Sequence, residues 1–209
     1  MRIARDGLPF ILGSLALSAL CGLLGLVVLS LLVFALACAF TFFFRDPDRV
    51  PPAGEHLVVS PADGEVLGVE AVEAPPGLEA PATKVTIFLS LFDVHIVRAP
   101  LAATVASAEH RPGRFLPAYK PEAGERNEST TLVLGGGRVA AVMKMIVGIA
   151  ARRIKSYVRA GDAVTRGQKV GMMLFGSRVE LTLPRSVDVK LALHDKVKAG
   201  ETVIGEIQT

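Results

Sequence analysis

The chain has 209 residues, enough for one well-packed domain with an appendage and too few for two large ones. Its formal net charge of +3 comes from scattered Lys and Arg, which argues against nucleic acid and leaves a weak attraction to anionic lipid. Cys21 and Cys38 both lie in an apolar stretch far from any histidine, so they read as small packing or lipid-facing residues and indicate neither a disulfide framework nor a metal site.

Residues 7 to 44 carry no charged side chain. The run from Leu8 to Phe44 exceeds the about 7 to 15 apolar residues of a secretory signal, and no small-residue cleavage site precedes Arg45-Asp46-Pro47-Asp48, so the segment is expected to stay on the mature protein. As one helix it would extend roughly 55 Å, against a hydrocarbon core of about 30 Å. A helical hairpin bending near Gly22 and Gly25 resolves the mismatch. It also puts Arg2 and Arg5 on the same side as Arg45 and Arg49, which the positive-inside tendency makes cytoplasmic. A single tilted span after an interfacial segment is the alternative. The expected division is a membrane anchor over residues 1–50 and a β domain over 51–209.

After Pro51-Pro52 short β-branched and apolar runs alternate with Gly, Pro and Asp. Strands are predicted over Glu65 to Val69, Val85 to Ser90, Thr130 to Leu134, Arg138 to Val147, Val179 to Leu183 and Val187 to Leu191. No sustained 3.6-residue apolar period occurs here. Towards the end, Val158-Arg159-Ala160-Gly161-Asp162-Ala163-Val164 is echoed by Val197-Lys198-Ala199-Gly200-Glu201-Thr202-Val203, a Gly-plus-acid turn between short strands. The expected fold class is therefore mainly β, a barrel-sandwich-hybrid-like domain with an N-terminal α-helical anchor; such an architecture does not fix a function.

Four islands carry polar chemistry: Ser60-Pro61-Ala62-Asp63-Gly64, Phe92-Asp93-Val94-His95-Ile96-Val97-Arg98-Ala99-Pro100, Arg126-Asn127-Glu128-Ser129, and Leu174-Phe175-Gly176-Ser177-Arg178-Val179-Glu180. In this order they resemble the phosphatidylserine decarboxylases, specifically the short bacterial type whose apolar leader ends in Phe-Phe-Arg-Asp-Pro. The resemblance runs from Phe43 to the end. It implies a carboxy-lyase, made as a zymogen, that cuts its own backbone between Gly176 and Ser177 into residues 1–176 and 177–209. It further implies a covalent pyruvoyl group formed from Ser177, with no metal or pyridoxal phosphate. The group would form a Schiff base with phosphatidylserine and release phosphatidylethanolamine and carbon dioxide.

The residue types fit that chemistry. Glycine permits strained backbone in which the next hydroxyl can approach the preceding carbonyl, and a serine hydroxyl needs a base, usually a His oriented by a carboxylate. His95 in its apolar run is the candidate base and proton donor, and Asp63 the candidate orienting carboxylate; His110, beside Arg111-Pro112-Gly113, is the rival histidine. In the family the aspartate matching Asp63 belongs to the self-cleavage triad. Longer bacterial relatives read Asp-Tyr-His-Arg-Val-His in the second island, whereas Arg98 stands here where their second His would be, so His95 alone serves both reactions or shares them with His110. Likewise the long forms have Leu-Gly-Ser-Thr where this chain has Phe175-Gly176-Ser177-Arg178.

Arg178 reads either as a solvated strand residue or as a partner of the substrate carboxylate or phosphate. Lys144, Arg152 and Arg153 are candidates for the lipid phosphate, with a solvated face as the plainer reading. Asn127 and Glu128 are expected in a structural polar loop near the site. The expected setting is the bacterial inner membrane, with the catalytic domain on the cytoplasmic side, phosphatidylserine as substrate, and a homodimer left open. Two other readings stand beside this one. The Met143-Lys144-Met145 sequence allows a biotin carrier with Lys144 as acceptor, and a non-catalytic membrane-tethered β adaptor needs no chemistry at all.

Overall fold

The computed structural model describes residues 2–75, 78, 81–149 and 153–208. It divides into two units, Met1–Asp48 and Arg49–Thr209.

In the first unit the charge-free run forms α1 (Leu8–Leu23) and α2 (Val27–Phe43), and the chain turns between them at Gly25, whose φ of 73° suits glycine. The two helices are tied by reciprocal bonds, the Ser18 hydroxyl donating to the Ser30 carbonyl at 2.9 Å and the Ser30 hydroxyl to that of Ser18 at 2.8 Å. Such bonds satisfy hydroxyls that an apolar pair of helices would otherwise strand. Two short strands, β1 (Arg2–Ile3) and β2 (Arg45–Asp46), pair antiparallel and close the unit. By length and composition the helical stretch Arg5–Leu23 is able to cross a membrane, and Val27–Phe43 is a shorter apolar helix. Cys21 is buried and Cys38 exposed, both as free thiols.

The second unit is built on an eight-stranded antiparallel sheet. Its four central members are β5 (Ala82–Leu89), β8 (Ser129–Gly135), β9 (Ala141–Val147) and β13 (Ser177–Pro184), flanked by β4 (Gly64–Val72) and β7 (Ala103–Arg111), with β11 (Ala163–Val164) and β15 (Lys196–Val197) at the edges. Two three-stranded sheets complete it: β6 (Ile96–Arg98), β10 (Ile154–Ser156) and β12 (Lys169–Met173); and β3 (Leu57–Val59), β14 (Val187–Val189) and β16 (Val203–Ile207).

Side-chain alternation decides which face is inside. Along β13, Val179, Leu181 and Leu183 are buried in the core, where they meet Val85, Ile87 and Leu89 of β5 and Met143 and Met145 of β9; Arg178, Glu180 and Thr182 occupy the other face. The small sheets contribute Val58, Val97, Val170, Met173 and Ile204 to the same cluster. Each fully buried aliphatic side chain contributes about 1.5–3 kcal/mol, so the core is fixed by many contacts of similar size.

The mainly β expectation with N-terminal helix holds. The predicted strand over Arg138 to Val147 begins instead at Ala141, because Gly135, Gly136 and Gly137 lead through a turn that ends only there. Both near-repeats form turns that donate a glycine amide to another element, Gly161 to the Val105 carbonyl and Gly200 to that of Ser60, each at 2.8 Å.

Candidate active site

β13 starts at Ser177, between Leu89 of β5 and Val147 of β9. Ser177 is fully buried, and its hydroxyl has no hydrogen-bond partner among the described residues. A buried unpartnered hydroxyl costs roughly 1–3 kcal/mol, so its presence calls for a reason other than stability. Immediately before it, Phe175 and Gly176 both adopt left-handed backbone, with φ of 62° and 51°. Glycine tolerates this, but for phenylalanine the conformation costs about 1–2 kcal/mol. Strain is thus concentrated at the peptide units leading into Ser177.

His95 is completely buried and bridges this turn to the chain before β6. Its Nε2 accepts the Gly176 N–H at 3.2 Å, and its Nδ1 lies 3.0 Å from the Asp93 carbonyl oxygen. A carbonyl only accepts, so Nδ1 carries the proton and Nε2 presents its lone pair to the Gly176–Ser177 region. The Asp93 carboxylate is used locally, accepting from the Ser90 amide at 2.8 Å and the Ser90 hydroxyl at 2.6 Å, which fixes the turn that carries the carbonyl.

The Gly176 carbonyl oxygen faces Gly148, where any side chain would collide with it. On that wall Gly148 also borders Ala118, whose segment is fastened by Asn127. The buried Asn127 amide accepts from the Leu116 N–H at 2.9 Å and donates to the carbonyls of Leu116 and Val147, each at 2.7 Å. Asn127→Ala removes all three bonds and is expected to lower the unfolding free energy by about 3 kcal/mol, read as a reduced urea midpoint.

Asp63 stands in an ion cluster with Arg49 and Glu201. One carboxylate oxygen meets Arg49 at 2.9 Å and the other accepts the Ala199 N–H at 2.8 Å, while Arg49 also reaches Glu201 at 2.6 Å. The Asp63 loop is joined to β6 by the Arg98 N–H donating to the Pro61 carbonyl at 2.8 Å, and the Arg98 guanidinium donates to the Gly167 carbonyl at 2.9 Å. His110, on β7, bonds through Nδ1 with the Thr130 hydroxyl at 3.1 Å and approaches Glu128 at 3.8 Å. Of the sequence-predicted residues, His95, Gly176 and Ser177 are therefore brought together by direct contact or adjacency, while Asp63 meets Arg49 and the Ala199 amide, and His110 meets Thr130 and Glu128.

Arg178 is only 5% exposed, so it is not a solvated strand residue. It pairs with Glu180 at 2.7 Å and donates to the Lys120 carbonyl at 3.1 Å. Lys144 stands in the middle of β9, with its ammonium donating to the Gly124 carbonyl at 2.6 Å. Burial pushes the Lys144 ammonium down from its ordinary value, and Glu180 partly opposes this. Both line a cavity of about 310 Å³ with Lys84, Thr86, Tyr119 and Glu180, on the face of β13 opposite to the Ser177 side chain. A lysine paired on both sides within a strand differs from the exposed hairpin-tip lysine that a biotin carrier presents. Arg153 is exposed, and Arg152 lies outside the described residues. Among the described residues no group of three or more His, Cys, Asp or Glu is arranged to hold a metal ion.

Sequence reasoning missed Arg49, Glu201, Gly148 and the Asp93 carbonyl. Only Asp93, two residues before His95, had a local signal.

Residues 36–205 match the family model described as phosphatidylserine decarboxylase. Among curated relatives, the phosphatidylserine decarboxylase proenzyme of Desulfotalea psychrophila is 38% identical over 209 residues, covering 98% of this chain and 96% of the relative. That of Symbiobacterium thermophilum is 43% identical over 208 residues, covering 98% and 95%. The proenzyme of Carboxydothermus hydrogenoformans is 44% identical over 181 residues, covering 86% and 85%.

Proposed function

The chain belongs to the phosphatidylserine decarboxylase family and is an enzyme that decarboxylates phosphatidylserine, and from this premise we propose that it first cuts itself between Gly176 and Ser177. In that step the Ser177 oxygen attacks the Gly176 carbonyl carbon and the peptide nitrogen leaves it, converting the amide to an ester. Loss of the Cα proton and of the Gly176 carboxylate then leaves dehydroalanine at 177. Water replaces the nitrogen, ammonia departs, and a pyruvoyl group blocks the start of residues 177–209. The relatives are named proenzymes, which supports a precursor of this kind.

One observation carries the proposal: a buried hydroxyl with no partner among the described residues directly follows two left-handed residues, the second of which donates its N–H to an imidazole nitrogen that carries no proton. These residues fit a pyruvoyl precursor. When formed, the group supplies a carbonyl that absorbs the electrons left on the α-carbon as carbon dioxide departs.

The chain's own residues do the rest. His95 Nε2 takes the Ser177 hydroxyl proton by exchanging its bond from the Gly176 amide to that hydroxyl, and the Asp93 carbonyl keeps the imidazole in the tautomer able to do so. After cleavage the same nitrogen is positioned to return a proton to the substrate. Asp63 acts one step removed, holding with Arg49 the loop whose Pro61 carbonyl fixes the start of the Arg98 side of β6. Arg178 and Lys144 hold the Lys120 and Gly124 carbonyls, and their other N–H donors are available to a headgroup.

The first unit is proposed as the membrane anchor of a bacterial inner-membrane protein with its β unit on the cytoplasmic side. Its charge-free helices and the arginines at both ends support this. Intact mass spectrometry of protein isolated from membranes is expected to give two polypeptides, residues 1–176 and 177–209, the second blocked by pyruvate. A single chain with a free hydroxyl at 177 in protein that releases carbon dioxide from phosphatidylserine would reject the proposal.

A further inference from the structure

The proposed cut changes what holds residue 177. In the uncut chain it is gripped from both sides, upstream through the Gly176 amide bonded to His95 and downstream through β13. Afterwards it is the first residue of its polypeptide and the first of the strand, with no backbone ahead of it. A chain end in that position frays unless something ties it down, and a reacting group displaced by about 1 Å can lose about 10²-fold in rate.

Pairing with Leu89 and Val147 is one restraint on residue 177. A second acts through Arg178, whose guanidinium pairs with Glu180 at 2.7 Å and donates to the carbonyls of Lys120 at 3.1 Å and Pro121 at 3.5 Å. Both carbonyls belong to the segment 116–127, which is fastened elsewhere too. Lys144 donates to its Gly124 carbonyl at 2.6 Å, Asn127 bonds it to Val147, and Tyr119 packs edge-on against Phe88, the register partner of Arg178 on β5. Gly124 is seated directly on the ion pair, since any side chain there would collide with the Arg178 guanidinium and the Glu180 carboxylate. The same segment carries Ala118 to Gly148, beside the Gly176 carbonyl. One fastened segment thus meets β13 at Arg178 and the wall of the cleavage site at Ala118.

Stability does not account for this arrangement. Replacing a buried ion pair by apolar side chains of similar volume is often neutral or stabilising, and the Arg178 Nε–H is buried with no partner among the described residues, which adds a penalty. What a planar guanidinium supplies is direction, because its donors are fixed in a fork.

We propose that Arg178 is a positioning residue of the mature enzyme: with Glu180 and the Lys120 and Pro121 carbonyls it holds the new chain start, keeping the ketone formed from Ser177 beside His95 once the backbone ahead of it is severed. Its side chain leaves β13 on the face opposite to that of Ser177, so it acts through the strand. The inference rests on the reading of Gly176–Ser177 as the cut bond, and adds what keeps the product of that cut in place.

Arg178→Met keeps a long buried side chain and removes its donors. Intact mass is expected to show self-cleavage within about twofold of the unsubstituted rate, while decarboxylation of phosphatidylserine in detergent micelles, per pyruvoyl group, falls about tenfold in kcat with KM little changed. An unchanged kcat would overturn the proposal, as would a raised KM alone, which would make Arg178 a substrate contact. Since methionine leaves Glu180 buried without its cation, Arg178→Met/Glu180→Met is measured beside it, and the same loss in kcat is expected. Hydrogen exchange over residues 178–181 gives a readout free of catalysis, with cut protein compared to uncut chains carrying Ser177→Ala. With Arg178 present the two forms should exchange alike, whereas with Arg178→Met the cut form is expected to exchange about tenfold faster than the uncut one. Equal acceleration in both would reduce the arginine to a general support of the fold and overturn the proposal. An unsubstituted chain that stays whole by mass would instead reject the cut itself, and this inference with it.

Discussion

Ser177→Ala is expected to yield one uncut polypeptide of 209 residues that releases no carbon dioxide from phosphatidylserine. The alanine lacks the oxygen that attacks the Gly176 carbonyl, and no later step can form a ketone at that position. The same substitution should leave the fold intact, because the hydroxyl it removes is buried without a partner among the described residues. Deleting such a group relieves a desolvation penalty, so the variant should be about 1 kcal/mol more stable than uncut protein that keeps the serine. This combination of total catalytic loss and undiminished stability separates a chemical role from a structural one. Gel analysis, carbon dioxide release and urea unfolding measure the three quantities, and cleavage of the alanine variant at this bond would remove Ser177 from the mechanism.

Loss of the imidazole should have the second largest effect. His95→Ala is expected to slow self-cleavage by about 10²–10⁴, the range that a positioned proton acceptor contributes. The alanine variant alone is ambiguous, since it also removes the bond that holds the Gly176 amide and leaves a cavity. His95→Gln resolves this: a glutamine carbonyl can accept the Gly176 N–H yet cannot take a proton at neutral pH. Both variants should therefore cleave slowly, followed as the disappearance of the full-length chain over hours. If His95→Gln cleaves as fast as the unsubstituted chain, His95 is a positioning residue that only shapes the turn. The small amount of cleaved His95→Gln that accumulates then tests the second role, as carbon dioxide released per pyruvoyl group formed.

What could be read from the sequence follows from where the physical signal is local. β5, β8 and β13 advertise themselves by β-branched and apolar residues alternating with polar ones, and the two N-terminal helices by their lack of charge. β7 escaped notice because Ala103-Thr104-Val105-Ala106-Ser107-Ala108-Glu109-His110-Arg111 is rich in residues with little strand preference, and most of its second half is exposed. β12 was hidden by Gly171 in its middle and by a register shift against β6. The pair Gly176-Ser177 and His95 were legible because their chemistry resides in residue type and short motifs. The partners of Asp63 were not, as Ala199 lies 136 positions away and Arg49 is shared with Glu201, 152 positions from it, so the cluster forms only once the sheets have closed. Arg178 stood open between a solvated strand residue and a substrate partner, and tertiary structure covers it with the Lys120 and Pro121 carbonyls.

The place of β13 in the sheet gives the proposed cut an asymmetric outcome. That strand is hydrogen-bonded to β5 along its whole length and to β9 over six residues, so severing the link ahead of it produces two polypeptides that share one hydrophobic interior and one cooperative melting. The uncut form finds its structure as a unimolecular event, once, soon after synthesis. Mature material taken apart by denaturant has to recombine from separate fragments, at a rate set by their concentration, and the shorter fragment lacks every neighbour that gives its longest strand a sheet to join. Maturation thus converts a reversible folding problem into an assembly that the cell has no need to repeat.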